Sequence, residues 1–428
     1  MRADWNRRAR QDAHYYVAFG RHDQPEEEFL ATAADVLRGL ERELKRGLPG
    51  TNPRARRALE IGCGPGRLMK PLSAQFGEIH GVDVSDEMVA LARQRLANIP
   101  HAHVHAGSGA DLRQFANDSF DFLYSYAVFQ HIPDAEVVFS YLREAVRVLK
   151  PGGLMRFQVN NLSAERTAAA TWHGCSIEAD EIRAYAAAYG LRLLALEAVK
   201  TQYMWVTLRK PEQNEPNASG QAIRIRRITN SESSEPVAPH RGRYAAISLW
   251  LENLPAAADL LSLELNVGGK PARLTYLSAP EADGLCQLNA VLPASLPTGM
   301  LPVELRWNQA NAAQCGFRII PAPPAVPRLV EVVDGVDYLS GTRIISGSVK
   351  VFVEELLTPE AFTASVDGQP ATDYSILCTD PMPPRHEINF RLPEGLAPGA
   401  HLLRLQAGRR LVGAVPIEVI PTTLPEVQ

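Results

Sequence analysis

The run Ala58-Leu59-Glu60-Ile61-Gly62-Cys63-Gly64-Pro65-Gly66-Arg67-Leu68 constrains the fold of this 428-residue chain more than any other segment. The apolar stretch up to Ile61 reads as a short buried strand. The three alternate glycines after it let a turn bring backbone N–H groups close to a ligand with no side chain between. A helix follows. A second strand, Ile79-His80-Gly81-Val82, ends at Asp83, where one carboxylate at the carboxyl edge of a parallel sheet can accept hydrogen bonds from both hydroxyls of a ribose. Together these elements read as a nucleotide-type cofactor crevice. A glycine turn with a downstream acid also describes dinucleotide-binding dehydrogenases, so at this point the cofactor stays open.

Two stretches further on narrow the choice: Phe120-Asp121-Phe122-Leu123-Tyr124-Ser125-Tyr126-Ala127-Val128-Phe129-Gln130-His131-Ile132-Pro133-Asp134, and Val148-Leu149-Lys150-Pro151-Gly152-Gly153. With Glu60 to Gly66 and Gly81 to Ser85, in this order and spacing, the chain resembles the class I S-adenosylmethionine-dependent methyltransferases over about residues 1–210. A chance match to all four stretches in order is far rarer than a match to one glycine turn, and dehydrogenases do not usually carry the Lys-Pro-Gly-Gly element. The resemblance implies an α/β fold, a doubly wound seven-stranded Rossmann-like domain. It also implies in-line transfer of the sulfonium methyl of S-adenosyl-L-methionine to an oxygen, nitrogen or carbon nucleophile. That cofactor is already activated, so the protein mainly aligns the nucleophile and excludes water.

The same resemblance distributes roles. Gly62, Gly64 and Gly66 border the methionine and ribose parts of the cofactor, and Glu60 orients the loop or reaches the amino group. Cys63 lies in that loop at a position where a small residue suffices, and its own role reads as structural. Asp83 takes the ribose, and Val84 and Met88 pack on the adenine. The family often has an acid directly after the glycine that follows the third strand; here Ser108 stands in its place, so Ser108, Gly109 and Ala110 are candidates for the adenine edge. Tyr126 lies where the family contacts the methionine portion. Gln130 and His131 follow on the loop facing the acceptor, where His131 either removes a proton or simply stabilises the loop. Asn160 and Asn161, just beyond the fifth strand, face the crevice by topology. His14, Tyr15 and Tyr16 precede the first helix of the sheet domain, in a segment that in many relatives folds over the cofactor, and Tyr15 and Tyr16 are candidate substrate contacts.

His101, His103 and His105 alternate, and on a strand they would project from one face. That invites a metal site, but no carboxylate nearby has matching spacing and methyl transfer from a sulfonium needs no metal, so no metal is expected. Five cysteines without paired spacing point to reduced thiols. No run of eighteen apolar residues is present and the first residues carry no apolar segment before a cleavage site, so neither membrane insertion nor secretion is expected and the reading is cytoplasmic. Net charge is -4 and no long basic block occurs, which argues against a nucleic-acid acceptor. A small-molecule, glycan or lipid acceptor is preferred.

Proline usage divides the chain: of its 32 prolines, 8 precede residue 211 and 24 lie from Pro211 onward. Residues 1–57 read as an N-terminal helical segment, with one helix from Pro25-Glu26-Glu27-Glu28 to Lys45-Arg46-Gly47. Residues 58–210 read as the Rossmann-like core, closed by strands over 191–199 and 203–209, and 211–221 as a linker. Beyond it the sequence repeats. Gly268-Gly269-Lys270-Pro271-Ala272 recurs as Asp367-Gly368-Gln369-Pro370-Ala371, and Leu288 to Pro293 recurs as Ile388 to Pro393. Short alternating segments between proline and glycine turns predict two all-β immunoglobulin-like sandwiches, 222–322 and 326–422, with a stiff proline spacer over 321–327. These could bind a partner protein, position the acceptor or mediate self-association. Two other classes are weighed: a degenerate cofactor fold serving as a scaffold through its sandwiches, which intact Glu60, Gly62, Gly64 and Asp83 argue against, and an NAD-dependent oxidoreductase, which has no support outside the glycine turn.

Overall fold

The computed structural model describes residues 1–18, 22–48, 52–162, 174–212, 221–242, 244–323, 326–336, 341–380 and 385–420. Most of the expected linker, and Pro324 and Ala325 of the expected spacer, lie outside these residues. The chain divides into two compact units, Met1–Ala13 with Leu30–Ala322 and His14–Phe29 with Pro323–Gln428.

In the first unit, strands β1 (Arg57–Ile61), β2 (Glu78–Asp83), β3 (Ala102–Ala106), β4 (Phe120–Ser125), β5 (Leu149–Val159), β6 (Arg192–Glu197) and β7 (Met204–Arg209) lie in the order 3-2-1-4-5-7-6. The first five are parallel, and β7 runs antiparallel between β5 and β6. The order reverses between β1 and β4, which opens a crevice at the carboxyl ends of those strands. Alternation within β1 sends Leu59 and Ile61 into one core and Ala58 into another.

Of the helices α1 (Arg2–Ala18), α2 (Glu26–Ala31), α3 (Ala34–Gly47), α4 (Met69–Leu72), α5 (Asp86–Arg95), α6 (Ala135–Val148) and α7 (Ala179–Ala188), α3 and α5 pack on one face of the sheet and α6 and α7 on the other. The single helix expected over 25–47 is broken at Thr32-Ala33: Ala33 is fully buried, and the Thr32 hydroxyl accepts from Arg67 Nη1 at 2.9 Å. Helix α1 is itself two helices joined at Asp12, whose backbone is extended (φ -171°, ψ 93°).

The sheet does not close at seven strands. It continues into the β-rich segment β8 (Arg224–Asn230), β9 (Val237–Pro239), β10 (Ala246–Glu252), β11 (Leu263–Val267), β12 (Lys270–Leu277), β13 (Cys286–Val291), β14 (Gly299–Trp307) and β15 (Ala310–Ile320). Tyr276 of β12 pairs with Ala195 of β6, and Leu260 N–H donates to the Leu193 carbonyl at 2.9 Å. Asp259, buried, accepts from Leu193 N–H at 3.2 Å and from the amides of Leu261 and Ser262. One apolar core runs from Leu193 and Leu208 into Ile247, Leu249 and Leu288. The expected boundary near 211–221 therefore does not coincide with a division between units.

The second unit carries two separate sheets built from β16 (Arg328–Asp334), β17 (Arg343–Ile344), β18 (Ser348–Glu354), β19 (Phe362–Val366), β20 (Gln369–Pro370), β21 (Thr372–Asp380), β22 (Arg385–Arg391), β23 (Gly399–Ala407) and β24 (Arg410–Val419). Their inner faces share a core of Val349, Val351, Ile388, Phe390, Leu403 and Leu405. The sequence repeat is a repeat of pairings: β10 pairs β13 as β18 pairs β22, with Asn289 opposite Ser248 and Asn389 opposite Lys350.

Candidate functional site

The crevice floor is the turn from β1 to α4. Gly62, Gly64 and Gly66 take φ of 72°, 51° and 82°, a region that costs any other residue. A Cβ on Gly62 would lie 2.3 Å from Val128 Cγ2, so only glycine lets the turn pass under that side chain. The turn is fastened to the second strand: the amides of Gly62 and Cys63 both donate to the Val82 carbonyl, and Gly64 N–H donates to Asp83 Oδ2 at 2.8 Å. Asp83 Oδ1 accepts from Ser85 N–H at 2.8 Å. Burial raises the Asp83 carboxyl above its ordinary range, and these amides oppose the rise. Each oxygen keeps a further lone pair for a ligand hydroxyl.

Glu60, near the end of β1, is buried, and Tyr124 of β4 donates its hydroxyl to Glu60 Oε2 at 2.9 Å. Burial pushes the Glu60 carboxyl up to about 8, against the pull of Tyr124 and of Arg67. The Cys63 side chain fills the space beside Gly81 of β2, where a Cβ would lie 2.9 Å from its sulfur. Burial pushes its thiol up, so it is a packing group.

The first segment of α1 packs onto the loops after β2 and β3. Arg2 Nη2 donates to the Gly107 carbonyl at 2.7 Å and pairs with Asp86, and Arg10 pairs with Glu87 at 2.9 Å. Asn6 Oδ1 accepts from Ser85 Oγ at 2.7 Å, and Ser85 caps α5 by accepting from Met88 N–H. In the loop after β3, Ser108 Oγ accepts from the amides of Ala110 and Asp111, which turns the hydroxyl back onto its own backbone. Val84 packs within 3.1 Å of where a Gly109 Cβ would stand, and Met88 is buried.

Beyond β4, Tyr126 stacks on Trp205 of β7 at 5.7 Å and lies under the Arg67 guanidinium, while Arg156 of β5 covers Trp205 at 4.7 Å. Ala127 takes φ 55°, a left-handed conformation that strains an alanine, between Tyr126 and Val128. Gln130 and His131 are both buried, and the Trp5 ring meets His131 edge-on at 5.4 Å.

Against this geometry the comparisons are specific. Residues 59–157 match a family described as a methyltransferase domain. A phosphoethanolamine N-methyltransferase 2 from Caenorhabditis elegans is 39% identical over 97 residues, 22% of this chain and 22% of that protein. A ubiquinone biosynthesis O-methyltransferase from Sinorhizobium fredii is 30% identical over 103 residues, 23% of this chain and 39% of its own. Residues 59–157 form a class I S-adenosylmethionine-dependent methyltransferase domain. The curated relatives are matched over 22% to half of their length. A crystal structure titled as a SAM-dependent methyltransferase from Aquifex aeolicus overlaps 40% of this chain and 88% of its own, at 19% identity and a TM-score of 0.31.

Within the methyltransferase domain and the elements around it, the structure brings Glu60, Gly62, Gly64, Gly66, Asp83, Val84, Ser108, Gly109 and Tyr126 to the carboxyl ends of the sheet. Other expectations need correcting. Asn161 is spent on the fold: its Nδ2 donates to the Ile177 carbonyl at 2.8 Å and its Oδ1 accepts from Lys200 N–H at 2.7 Å, which leaves little of it for a substrate. Asn160 Oδ1 accepts from Leu162 N–H. Tyr15 and Tyr16 lie beyond the kink at Asp12, in the second unit, with Tyr15 stacked on His22 at 3.9 Å. Within the first unit, Arg2, Trp5 and Asn6 are the N-terminal residues that contact the loops of this site.

His101 precedes β3 and contacts the Ser73 carbonyl, so the three histidines do not share one strand face. The partner of His105 is His80 of β2, Nδ1 to Nε2 at 3.1 Å, and burial lowers His80 to about 4. Among the described residues no group of three or more His, Cys, Asp or Glu could hold a metal ion. No helix among them is long and apolar enough to cross a membrane.

Proposed function

We propose that this chain transfers the methyl group of S-adenosylmethionine to an oxygen, nitrogen or carbon nucleophile on a small-molecule, glycan or lipid acceptor. The observation that carries the reading is the glycine turn fastened to Asp83: one carboxylate holds the Gly64 amide and keeps lone pairs for a ribose, in a turn where Gly62 tolerates no side chain. The cofactor, when bound, supplies a sulfonium whose methyl is open to in-line displacement. Gly62, Gly64 and Gly66 give the backbone room to approach it, and Asp83 orients the ribose. Glu60 is aimed, through its bond to Tyr124, to accept from the methionine ammonium. Val84, Met88, Ser108, Gly109 and Ala110 border the adenine, and Tyr126 walls the methionine end. Gln130, Asn160 and His131 stand on the acceptor side, with His131 the candidate proton acceptor and Trp5 packed against it to exclude water.

The matched relatives are named as N- and O-methyltransferases, which supports either heteroatom as nucleophile. Residues 222–322 and 326–422 are read as immunoglobulin-like modules that position the acceptor, bind a protein or pair with a second copy. A cytoplasmic location agrees with the free thiols of Cys63, Cys175, Cys286 and Cys315.

The test is thermal unfolding with S-adenosylhomocysteine or with NAD, and Asp83→Ala as control. A ligand at a hundred times its dissociation constant adds about 2.7 kcal/mol to the state that binds it. Stabilisation by S-adenosylhomocysteine alone, lost in the control, is the expected result; stabilisation by NAD alone would return the chain to the oxidoreductases.

A further inference from the structure

The first segment of α1 holds a side chain to which the cofactor reading gives no task. Asn6 Oδ1 accepts from Ser85 Oγ at 2.7 Å and from Glu87 N–H at 3.3 Å. A backbone N–H can only donate, so the oxygen of the carboxamide must be the atom facing Glu87, and the orientation of the group follows. Nδ2 is left with two donors, and among the described residues neither has a protein acceptor. The residue that Asn6 grips is two positions past Asp83, and Ser85 N–H itself binds Asp83 Oδ1 at 2.8 Å. Asn6 is therefore two hydrogen bonds, through Ser85, from the proposed ribose carboxylate.

Asp83 can only accept from a ribose. A hydroxyl that gives its hydrogen to a carboxylate retains lone pairs, and binding is completed by a donor from another direction. We propose that Asn6 is a cofactor-binding residue whose Nδ2 donates to a ribose hydroxyl oxygen while that hydroxyl donates to Asp83. This rests on the S-adenosylmethionine reading of the crevice. Asn6 is held for the task from both sides along its helix: Arg2 by the Gly107 carbonyl and Asp86, Arg10 by Glu87. The first segment of α1 thus contributes a ligand group as well as cover.

The experiment is isothermal titration of the full chain with S-adenosylhomocysteine and with its 2′-deoxy and 3′-deoxy analogues. Asn6→Asp keeps an acceptor for Ser85 and Glu87, removes both donors and adds a second carboxylate near Asp83. Its affinity for S-adenosylhomocysteine is expected to fall more than tenfold. Asn6→Ala is expected to lose roughly three- to tenfold, the scale of one neutral hydrogen bond. In both variants the preference for S-adenosylhomocysteine over one deoxy analogue should shrink, a readout that simple docking of the helix would leave unmoved. The proposal is overturned if Asn6→Asp binds as the wild type does, or if all three ligands weaken by one common factor. A wild type that binds none of the three overturns the cofactor reading itself and this proposal with it.

Discussion

Gly62→Ala isolates the device on which the crevice depends. The added methyl would meet Val128 Cγ2 at 2.3 Å, Cγ1 at 2.6 Å and Cβ at 3.0 Å, with the backbone at φ 72°. The left-handed conformation costs an alanine about 1–2 kcal/mol. Forcing a methyl into a packed site adds about 1–3 kcal/mol. The variant should therefore lose about 2–5 kcal/mol and bind S-adenosylhomocysteine more weakly. Adding Val128→Ala removes both Cγ atoms and should recover the steric part while leaving the backbone part, so the double variant is expected about 1–3 kcal/mol better than additive. Hydrogen exchange read by peptide mass spectrometry over 58–68 measures this in the affected unit rather than averaged over both. Loss of less than about 0.5 kcal/mol in Gly62→Ala, or no recovery in the double variant, would refute the reasoning.

Other perturbations test separate parts. The folded-state pKa of Glu60, raised to about 8 from an ordinary 4.5, means that Glu60 favours folding below pH 4.5 and that this contribution is lost as pH rises through 8. Urea midpoints of Glu60→Gln should therefore fall less steeply between pH 5 and 8 than those of the wild type, and parallel slopes would contradict the assignment. If an ammonium meets that carboxyl, binding of S-adenosylhomocysteine near pH 7 releases a proton, which titration calorimetry in buffers of different ionisation enthalpy detects. Asp83→Ala should weaken the same ligand tenfold or more, since it removes about 1.5–3 kcal/mol of charge-assisted hydrogen bonding; an unchanged affinity measured by calorimetry would remove Asp83 from the site. Asp259→Ala strips the acceptor from Leu193, Leu261 and Ser262 amides and should cost about 2–4 kcal/mol in urea unfolding; a neutral result would mean that β6 and the Asp259 turn are not energetically joined.

What the sequence discloses here follows from where the information sits. Glycines with positive φ, a strand ending in Asp83 and the buried run of β1 are local patterns, so the turn and its partner strand can be read from residues close in the chain. Asn6 cannot be read this way. Its contacts lie with Ser85 and Glu87, on a polar helix whose sequence has no apolar stripe, and neither periodicity nor spacing marks them. The merging of β12 with β6 is likewise a backbone pairing between distant segments, which composition does not encode. The break in the helix expected over 25–47 is set by a tertiary demand, the Thr32 hydroxyl meeting Arg67. Asn161 shows the converse: topology puts it near the crevice, but its carboxamide is taken by backbone on both sides. The alternating histidines share less than their spacing suggests, because alternation proves a shared face only within one strand and His101 is outside β3.

The pairing of Tyr276 with Ala195 also sets an order of events during synthesis. The edge strand of the Rossmann-like sheet, β6, leaves the ribosome 81 positions (195 to 276) before the strand that covers its flank. At about 5–20 residues per second that is an interval of roughly 4–16 s with a bare strand edge. An uncovered edge recruits any other strand, including the same segment of a neighbouring nascent chain. Translation speed between Glu197 and Tyr276 is therefore part of the folding problem for this protein, and slow codons or stalled ribosomes in that window should raise its aggregated fraction before any finished molecule exists.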